Sequence, residues 1–244
     1  MSRGAQRSLV SGVLNFRDIG GLPAGDGQTR SGVLYRSGNL ATVDESGFEA
    51  LRALRLRRII DLRDDEEVER SPSLVDGLDL TTERVPVFLG SITSFFENDV
   101  SLAELYSSLI VEAADRVVEV VRSIIVDQPV LVHCTVGKDR TGVTVALALA
   151  AAGVDLDAIV ADYARTEKML PAARNTEVVA RLRAMHPEAV HLEELATRSP
   201  ARVMRGLLKR LTDEYGSPSD YLRAHALDRD EISELRRILI IPAT

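Results

Sequence analysis

The stretch from Val130 to Gly142, VLVHCTVGKDRTG, decides the fold and contains the only cysteine of the chain. Residues 130–132 form a compact apolar run, which predicts a buried strand. Residues 141–152 are almost wholly apolar, which predicts a helix in the core. A short loop must therefore join a buried strand to a buried helix, as is typical of α/β proteins.

The loop between this strand and this helix has the features of an anion-binding site. Gly137 permits a tight turn with an unusual backbone angle. Successive N–H groups of residues 135–139 can then point toward one centre and form a nest beside a helix N-terminus, which binds a dianion such as phosphate. Arg140 can complete the ring with a bidentate fork on two phosphate oxygens.

The chemistry that fits this loop is phosphoryl transfer to sulfur. The helix N-terminus and the nearby guanidinium favour a thiolate at Cys134. A thiolate aimed at a bound phosphate suits in-line transfer, followed by hydrolysis of the thiophosphate. Asp139 is the nearest candidate to protonate the leaving group, and Thr141 can hydrogen-bond the thiol when it leaves. We expect His133 to orient the loop from behind.

The segment admits other interpretations. A nucleotide P-loop needs a glycine where Val132 stands, and Ser or Thr where Asp139 stands. No Cys or His cluster accompanies His133, so we expect no metal and no cofactor. Two alternatives stay open: a rhodanese-like sulfurtransferase and a non-catalytic phosphate-binding module. The run Asp139–Arg140–Thr141 favours a phosphatase over the first, and the presence of both Cys134 and Arg140 argues against the second.

Strand patterns recur through the first 140 residues. Short apolar runs at residues 13–16 and 33–36 flank a Gly-rich loop and predict a strand pair. Residues 58–62 predict a short strand, and residues 84–88 predict an edge or irregular strand because they contain a proline. We expect the charged stretch 63–70 to be solvated.

Helical patterns dominate the remainder of the chain. Apolar residues recur at helical spacing over residues 102–124, behind a capping box that begins at Ser101, and predict one long amphipathic helix. We expect an α/β fold with a central, mostly parallel sheet, helices on both faces and a helical C-terminal cover. A single domain is predicted over residues 1–244, with residues 155–214 as a helical lid or insert.

Composition limits the class of function. The 244 residues are 45% hydrophobic and 27% charged, which is typical of a globular protein. A formal net charge of −7 argues against a generally basic nucleic-acid binder. A single cysteine, no apolar segment of a signal peptide and no bilayer-length apolar run predict a cytoplasmic protein without stable membrane insertion. Export without a cleaved signal and the oligomeric state stay open.

One region departs from the overall acidity. Between residues 165 and 211, eight Arg and two Lys stand against five Glu, a local balance of +5. If these helices cover the pocket, their charge would attract a polyanion such as a phosphoinositide head group or an acidic phosphopeptide. The alternative is that these side chains form ordinary solvated helix faces.

The segment His133-Cys134-x5-Arg140-Thr141 resembles the signature loop of the protein tyrosine phosphatase superfamily. The fuller string HCTVGKDRTG is similar to that of a narrower group, the bacterial atypical tyrosine/dual-specificity phosphatases that also act on phosphoinositides. The strings NFRDIGG at 15–21, LYRSG at 34–38 and IDLR at 60–63 resemble further elements of that group. The resemblance extends from residue 12 to residue 240.

The resemblance implies a tyrosine-phosphatase-like fold and a cysteine-dependent phosphatase. Phosphotyrosine, and also phosphoserine/threonine and phosphoinositide monoesters, would be hydrolysed through a cysteinyl-phosphate on Cys134, with Arg140 as phosphate clamp. Residues 135–139 would supply backbone donors, and Lys138 resembles the basic residue of loops that accept inositol phosphates. Asp139 matches a loop aspartate proposed as acid or activator. The chain has no Trp and therefore no Trp-Pro-Asp loop to supply the general acid. Asp139 is the first candidate for this acid, and Asp61 is the second.

Overall fold

The structure, a computed structural model, describes residues 8–87 and 92–242. Its strands are short, and nearly all lie in the first 140 residues, where the sequence predicts them. In chain order they are β1 (Arg17–Asp18), β2 (Pro23–Ala24), β3 (Gly27–Thr29), β4 (Leu34–Ser37), β5 (Arg58–Asp61), β6 (Thr81–Arg84), β7 (Val130–His133) and β8 (Ile240–Ile241).

Helices account for most of the remaining chain. In chain order they are α1 (Glu45–Leu54), α2 (Asp65–Arg70), α3 (Ile92–Glu97), α4 (Leu102–Glu112), α5 (Ala114–Val126), α6 (Arg140–Ala151), α7 (Leu156–Met169), α8 (Ala172–Met185), α9 (Leu192–Thr197), α10 (Ala201–Tyr215), α11 (Pro218–Ala224) and α12 (Arg229–Leu239). The capping box predicted at Ser101 begins α4, since its hydroxyl accepts from the Glu104 N–H.

The central sheet has the strand order β1-β4-β7-β5-β6. Strands β4, β7, β5 and β6 run parallel, and β1 pairs antiparallel with β4. The predicted mostly parallel sheet is therefore confirmed. Its middle strand, β7, pairs along its whole length with both neighbours, so that His133 lies between Ser37 and Asp61. A second, antiparallel sheet of β2, β3 and β8 joins the C-terminal part to the N-terminal part.

The sheet separates two apolar clusters. Along β7, Val130 and Val132 belong to the larger cluster, which includes the buried side chains of α4, α5 and α6. Leu131, on the opposite face, belongs to the smaller cluster with Leu51 of α1. Because side chains alternate between the faces of a strand, an unbroken apolar run buries both faces. Helices on both sides of the sheet follow, as predicted.

The helices within residues 155–214 pack against the α/β part. Helix α7 contacts α6, α10 contacts α7 and α4, and α8 contacts α9. The role of this region as a lid stays a prediction. No helix within the two described ranges is long and apolar enough to cross a membrane.

The prediction of a single helix over residues 102–124 is wrong, because the structure has two helices there. Helix α4 ends at Glu112, and α5 begins at Ala114. Ala113 separates them, because its φ of −117° and ψ of 24° leave the helical region. Both helices bury their apolar faces in the same cluster. The apolar spacing therefore continues across the break, and no Gly or Pro marks it in the sequence.

Two predicted strands are displaced along the chain. The strand predicted at residues 13–16 lies at β1 instead, and Val13 and Phe16 fill the smaller cluster. The strand predicted at residues 84–88 is β6, which ends before Pro86, a residue that cannot donate to a ladder. Phe88 lies outside the described residues.

Candidate active site

Cys134 follows β7 directly, at the carboxyl end of the middle strand of the sheet. Ligands commonly bind outside this edge of an α/β sheet. A cavity of about 300 Å³ lies here, and Cys134, only 3% exposed, is part of its wall. The loop residues that share this wall are Thr135, Val136, Lys138, Asp139 and Arg140. Six of the predicted loop residues, Cys134 among them, therefore line one cavity, and Gly137 and Thr141 do not.

The loop is held by its carbonyl groups. The Gly137 carbonyl accepts from Asn15 Nδ2 at 2.7 Å and from Arg36 Nη2 at 3.0 Å. The Thr135 carbonyl accepts from the Asn39 N–H at 3.1 Å. These donors lie in or next to the NFRD and YRSG strings, so those strings hold the loop in place.

Gly137 is required by both its backbone angle and its surroundings. Its φ is +73°, a region that L side chains avoid. A Cβ atom at this position would lie 2.3 Å from the carbonyl carbon and oxygen of Ser37. No side chain fits so close to the end of β4.

The N–H groups of the loop are free. Within the described residues, none of the N–H groups of residues 135–139 donates a hydrogen bond to a protein acceptor. Helix α6 begins directly after them, at Arg140, and its N-terminal end carries a partial positive charge. Carbonyls that are hydrogen-bonded and N–H groups without a protein acceptor are what the predicted nest requires, and the nest itself stays a prediction.

Arg140 is fixed by a carboxylate. Its Nη1 and Nη2 each donate at 2.6 Å to Glu67, one to each carboxylate oxygen. The Thr135 hydroxyl donates to the same carboxylate. Burial would raise the pKa of Glu67, but the bonds and charge of Arg140 lower it to about 2. A bidentate pair of this kind fixes the plane of the guanidinium.

The expectation that all of residues 63–70 are solvated is wrong, because Arg63 and Glu67 are buried. Residues 65–70 of this stretch form α2. A capping box explains the orientation of Glu67, because its Oε2 also accepts from the Asp64 N–H at 3.1 Å. The spacing Asp64-x-x-Glu67 therefore predicts a capping box from the sequence. The charge pattern of this stretch does not show that Glu67, among its acidic residues, is the buried one.

His133 and Asp61 lie behind the loop and do not line the cavity. The His133 Nδ1 is 3.4 Å from the Cys134 carbonyl, and its Nε2 is 3.7 Å from Asp61 Oδ2. Burial lowers the pKa of His133. Burial would raise the pKa of Asp61, but hydrogen bonds from Arg63 hold it below its usual range. Both residues are therefore placed to support the loop. Asp139 is favoured over Asp61 as the acid, because Asp139 lines the cavity and Asp61 does not.

Asp139 lies in a network of hydroxyl and ammonium donors. Its Oδ1 accepts from Tyr106 Oη at 2.9 Å and from Lys138 Nζ at 2.7 Å. Tyr106 Oη also shares a hydrogen bond of 2.8 Å with Tyr163 Oη. Burial, and then the charge of Asp139, raises the pKa of Tyr106 well above its usual value, so the phenol stays a donor.

Two other predicted loop residues, Lys138 and Thr141, are buried. The Lys138 side chain is 1% exposed, and its Nζ also donates to the Arg198 carbonyl at 2.9 Å. The Thr141 hydroxyl is buried, has no hydrogen-bond partner within the described residues and does not line the cavity. Its predicted bond to the thiol stays a prediction.

A buried ion cluster supports the loop from the other side. Asp162 of α7 accepts from Arg17 Nε at 2.8 Å and from Arg36 Nη1 at 3.1 Å. Burial would raise the pKa of Asp162, but the two guanidinium charges lower it. Burial and the charge of Arg17 lower the pKa of Arg36 to about 10, which still leaves it protonated at neutral pH. Sequence reasoning missed Asp162, because nothing local distinguishes it from other helix carboxylates.

Replacing Asp162 by Asn should destabilise the protein by about 3–5 kcal/mol, because two buried guanidinium groups lose their shared carboxylate. Since the pKa of Asp162 is lowered on folding, its contribution is complete above the unfolded value of about 3.9 and is lost as pH falls through the folded value. Urea unfolding should therefore show a gap between parent and Asp162→Asn at pH 7 that narrows in acid.

The control for this prediction is Asp157→Asn on the same helix. Asp157 pairs with Arg205 on the surface, where one ion pair contributes about 0–1 kcal/mol. A loss from Asp162→Asn no larger than that of the control would contradict a structural role for the buried cluster.

The wall opposite the loop is mostly apolar. Phe96, Leu105 and Leu109 line it, together with the aliphatic side chains of Val178 and Leu182 on α8. Such a surface gains free energy by covering a flat apolar group. Two guanidinium groups, from Arg174 and Arg181, line the same cavity.

A thiol before a helix N-terminus, in one cavity wall with a fixed guanidinium and next to N–H groups without a protein acceptor, is typical of the class of cysteine-dependent phosphatases, which carry the phosphoryl group on sulfur. The chain belongs to the tyrosine phosphatase family, which it matches over residues 9–241. It is therefore a phosphatase and not one of the sulfurtransferases that the residues alone left open.

Two relatives agree with this assignment, and one solved structure is similar over part of the chain. The triple specificity protein phosphatase PtpB of Mycobacterium tuberculosis is 30% identical over 95% of this chain and 98% of its own length. A Cupriavidus necator relative with a tyrosine-protein phosphatase name is 32% identical over 92% of this chain and 85% of its own length. The core catalytic domain of the S. cerevisiae PP-IP phosphatase SIW14 is 18% identical, covering 73% of this chain and 90% of that chain with a TM-score of 0.37.

Proposed function

We propose that the protein hydrolyses phosphotyrosine monoesters through a cysteinyl-phosphate on Cys134. The observation that carries the proposal is the buried Cys134 thiol in a cavity wall beside five free N–H groups and the Arg140 guanidinium. In the first step Sγ attacks phosphorus, the bond from phosphorus to the tyrosyl oxygen breaks, and the leaving oxygen takes a proton from Asp139. In the second step water attacks phosphorus, the P–S bond breaks, and Asp139 takes up the proton of the water.

The preference for an aryl ester is supported by the apolar wall. Phe96, Leu105 and Leu109 lie in the same cavity as the nucleophile. A phenyl ring attached to the phosphate would cover them, whereas the short stem of phosphoserine would leave them exposed to water. Arg140 and the nest hold the phosphate, and His133 and Asp61 support the loop from behind.

Phosphoserine, phosphothreonine and phosphoinositide esters form a second candidate substrate class. The printed name of the Mycobacterium tuberculosis relative gives that protein a triple specificity. The positive charges of Arg174 and Arg181 in the cavity wall support acceptance of polyanionic esters here. Phosphorylated proteins and phosphoinositide head groups are therefore the proposed partners.

A phosphate-release panel tests the proposal. Phosphotyrosine, phosphoserine and phosphothreonine peptides of one sequence and a soluble phosphoinositide head group are compared by kcat/KM. We expect the phosphotyrosine peptide to have the highest value. Equal values for phosphotyrosine and phosphoserine would contradict a role for the apolar wall, and a persulfide on Cys134 formed from thiosulfate would point to sulfur transfer.

Tyr106→Phe tests the assignment of Asp139 as acid and base. The variant removes a hydroxyl that donates to the Asp139 carboxylate at 2.9 Å. A hydrogen bond to a charged group contributes about 1.5–3 kcal/mol, so loss of this donor should lower kcat by about tenfold or more.

The matched control is Tyr163→Phe, which removes the neighbouring hydroxyl. This hydroxyl bonds Tyr106 but not Asp139, so its effect on kcat should be smaller. A kcat of Tyr106→Phe equal to that of the parent would contradict the role of Asp139 as acid and base.

A further inference from the structure

Six of the eight arginines between residues 165 and 210 have a carboxylate oxygen within 4 Å. These six are Arg165, Arg183, Arg198, Arg202, Arg205 and Arg210. The other two, Arg174 and Arg181, have no such partner in the described part of the chain, and both line the cavity of Cys134. The segments outside the described ranges contain no Asp or Glu. The two unpaired arginines are therefore the two that face the site.

The positions of these arginines on α8 place them on one face. They are seven residues apart, which is two helical turns and about 10.5 Å along the axis. Val178 lies between them and lines the same cavity. Arg174 is half-buried, and its Nη1 donates only to the side chain of its neighbour Asn175, at 3.1 Å. Two guanidinium groups are thus held beside an apolar surface.

The two guanidinium groups are close enough to repel each other. Burial, and then the charge of Arg181, lowers the pKa of Arg174. Each of the other six arginines has a carboxylate that offsets its charge, but Arg174 and Arg181 have none among the described residues. An anion between Arg174 and Arg181 would relieve the repulsion and would bind in a partly desolvated place, where charge pairs are stronger.

We propose that Arg174 and Arg181 form a second anion subsite, which binds a carboxylate that a phosphopeptide carries near its phosphotyrosine. This inference rests on the proposed function of Cys134. The phosphate occupies the loop, the tyrosyl ring covers the apolar wall, and an acidic side chain of the peptide reaches α8. An extended peptide advances about 3.4 Å per residue, so the arginine pair spans about three residues of substrate.

The apolar wall favours a peptide over an inositol head group as the occupant. A polyphosphorylated inositol would satisfy the arginines but would bring polar hydroxyls against Phe96, Leu105 and Leu109. Burying a hydroxyl without a partner is unfavourable. A phosphotyrosine peptide with an acidic neighbour matches both the apolar and the basic parts of the cavity.

The test compares two phosphotyrosine peptides that differ only in Asp or Asn at the positions flanking the phosphotyrosine. The parent protein should hydrolyse the Asp peptide with a kcat/KM about tenfold above that of the Asn peptide, equivalent to about 1.4 kcal/mol, mostly through KM. Arg174→Gln/Arg181→Gln should abolish this ratio, and high salt should reduce it in the parent. The single variant Arg181→Gln, at an exposed position, should lose part of it.

Arg183→Gln is the matched control. It removes the same charge from the same helix, but Arg183 is 64% exposed and pairs with Glu193 at 3.6 Å. This variant should keep the full ratio. A parent ratio near one, or an equal loss of the ratio in Arg183→Gln, would overturn the subsite.

Two further assays distinguish this proposal from the proposed function and from an inositol phosphate site. Turnover of para-nitrophenyl phosphate by the parent protein reports the phosphatase activity itself. If this turnover is present and the peptide ratio is near one, only the subsite is wrong; if this turnover is absent, the proposed function is wrong. The double variant is also assayed on a soluble inositol bisphosphate. A loss on this head group without a loss on the Asp peptide would assign the arginines to inositol phosphates and overturn the peptide proposal.

Discussion

The variant Cys134→Ser should lose turnover of aryl phosphates by about four orders of magnitude or more, the scale on which removal of a covalent nucleophile acts in other hydrolases. A serine hydroxyl has the size of the thiol but stays protonated at neutral pH, so no nucleophile faces the phosphorus. The nest and Arg140 are untouched, so a phosphotyrosine peptide should still bind. Steady-state kinetics and titration calorimetry measure the two effects separately.

This separation distinguishes the phosphatase from a non-catalytic binding module. A module would bind phosphate esters equally well before and after the substitution and would show no turnover in the parent. Turnover by Cys134→Ser at the parent rate would show that the nucleophile is another group.

Arg140→Lys should lower kcat by about 10²- to 10³-fold, the range observed when one donor to a transition-state oxyanion is removed. Lysine keeps the charge but has no planar fork. Lysine can make neither the bidentate contact with Glu67, formed by two bonds of 2.6 Å, nor the bidentate contact with phosphate that we propose. The decrease should appear in kcat, measured with para-nitrophenyl phosphate, because the fork matches the transition state most closely.

Arg205→Lys on α10 serves as the control, because Arg205 pairs with the exposed Asp157 away from the cavity. It should keep the parent kcat. An Arg140→Lys variant with parent kcat would mean that any positive charge suffices and that the orientation imposed by Glu67 has no role in catalysis.

The loop and the sheet could be predicted from the sequence because their signals are local. An apolar run, a single cysteine, a glycine and an arginine at fixed spacing specify a strand, a turn and a helix N-terminus. The resemblance then supplied the type of fold. The role of Gly137 could be predicted for the same reason, since its positive φ and its close approach to Ser37 are both properties of that turn.

The surrounding charges could not be predicted, because their roles depend on contacts between distant parts of the chain. Asp162 meets Arg17 across 145 positions of sequence, and Glu67 meets Arg140 across 73. In the sequence, Glu67 looks like its solvated neighbours. Arg174 and Arg181 likewise resemble the paired arginines around them, and only the packing of α8 over the cavity distinguishes them.

The break at Ala113 shows a different limit. Apolar spacing reports which face of a helix is buried, and it does not report whether the helix axis is continuous. Two helices that share one core can therefore be mistaken for one.

The central claim is that the phosphoryl group passes through the sulfur of Cys134. The most direct measurement is rapid acid quench of the protein during turnover of a phosphotyrosine peptide, followed by mass spectrometry of the proteolytic fragment that contains Cys134. We predict one added phosphoryl group on that fragment, bound to sulfur and absent in Cys134→Ser. Continued turnover with phosphate on another residue, or with no phosphorylated protein at any quench time, would contradict the claim.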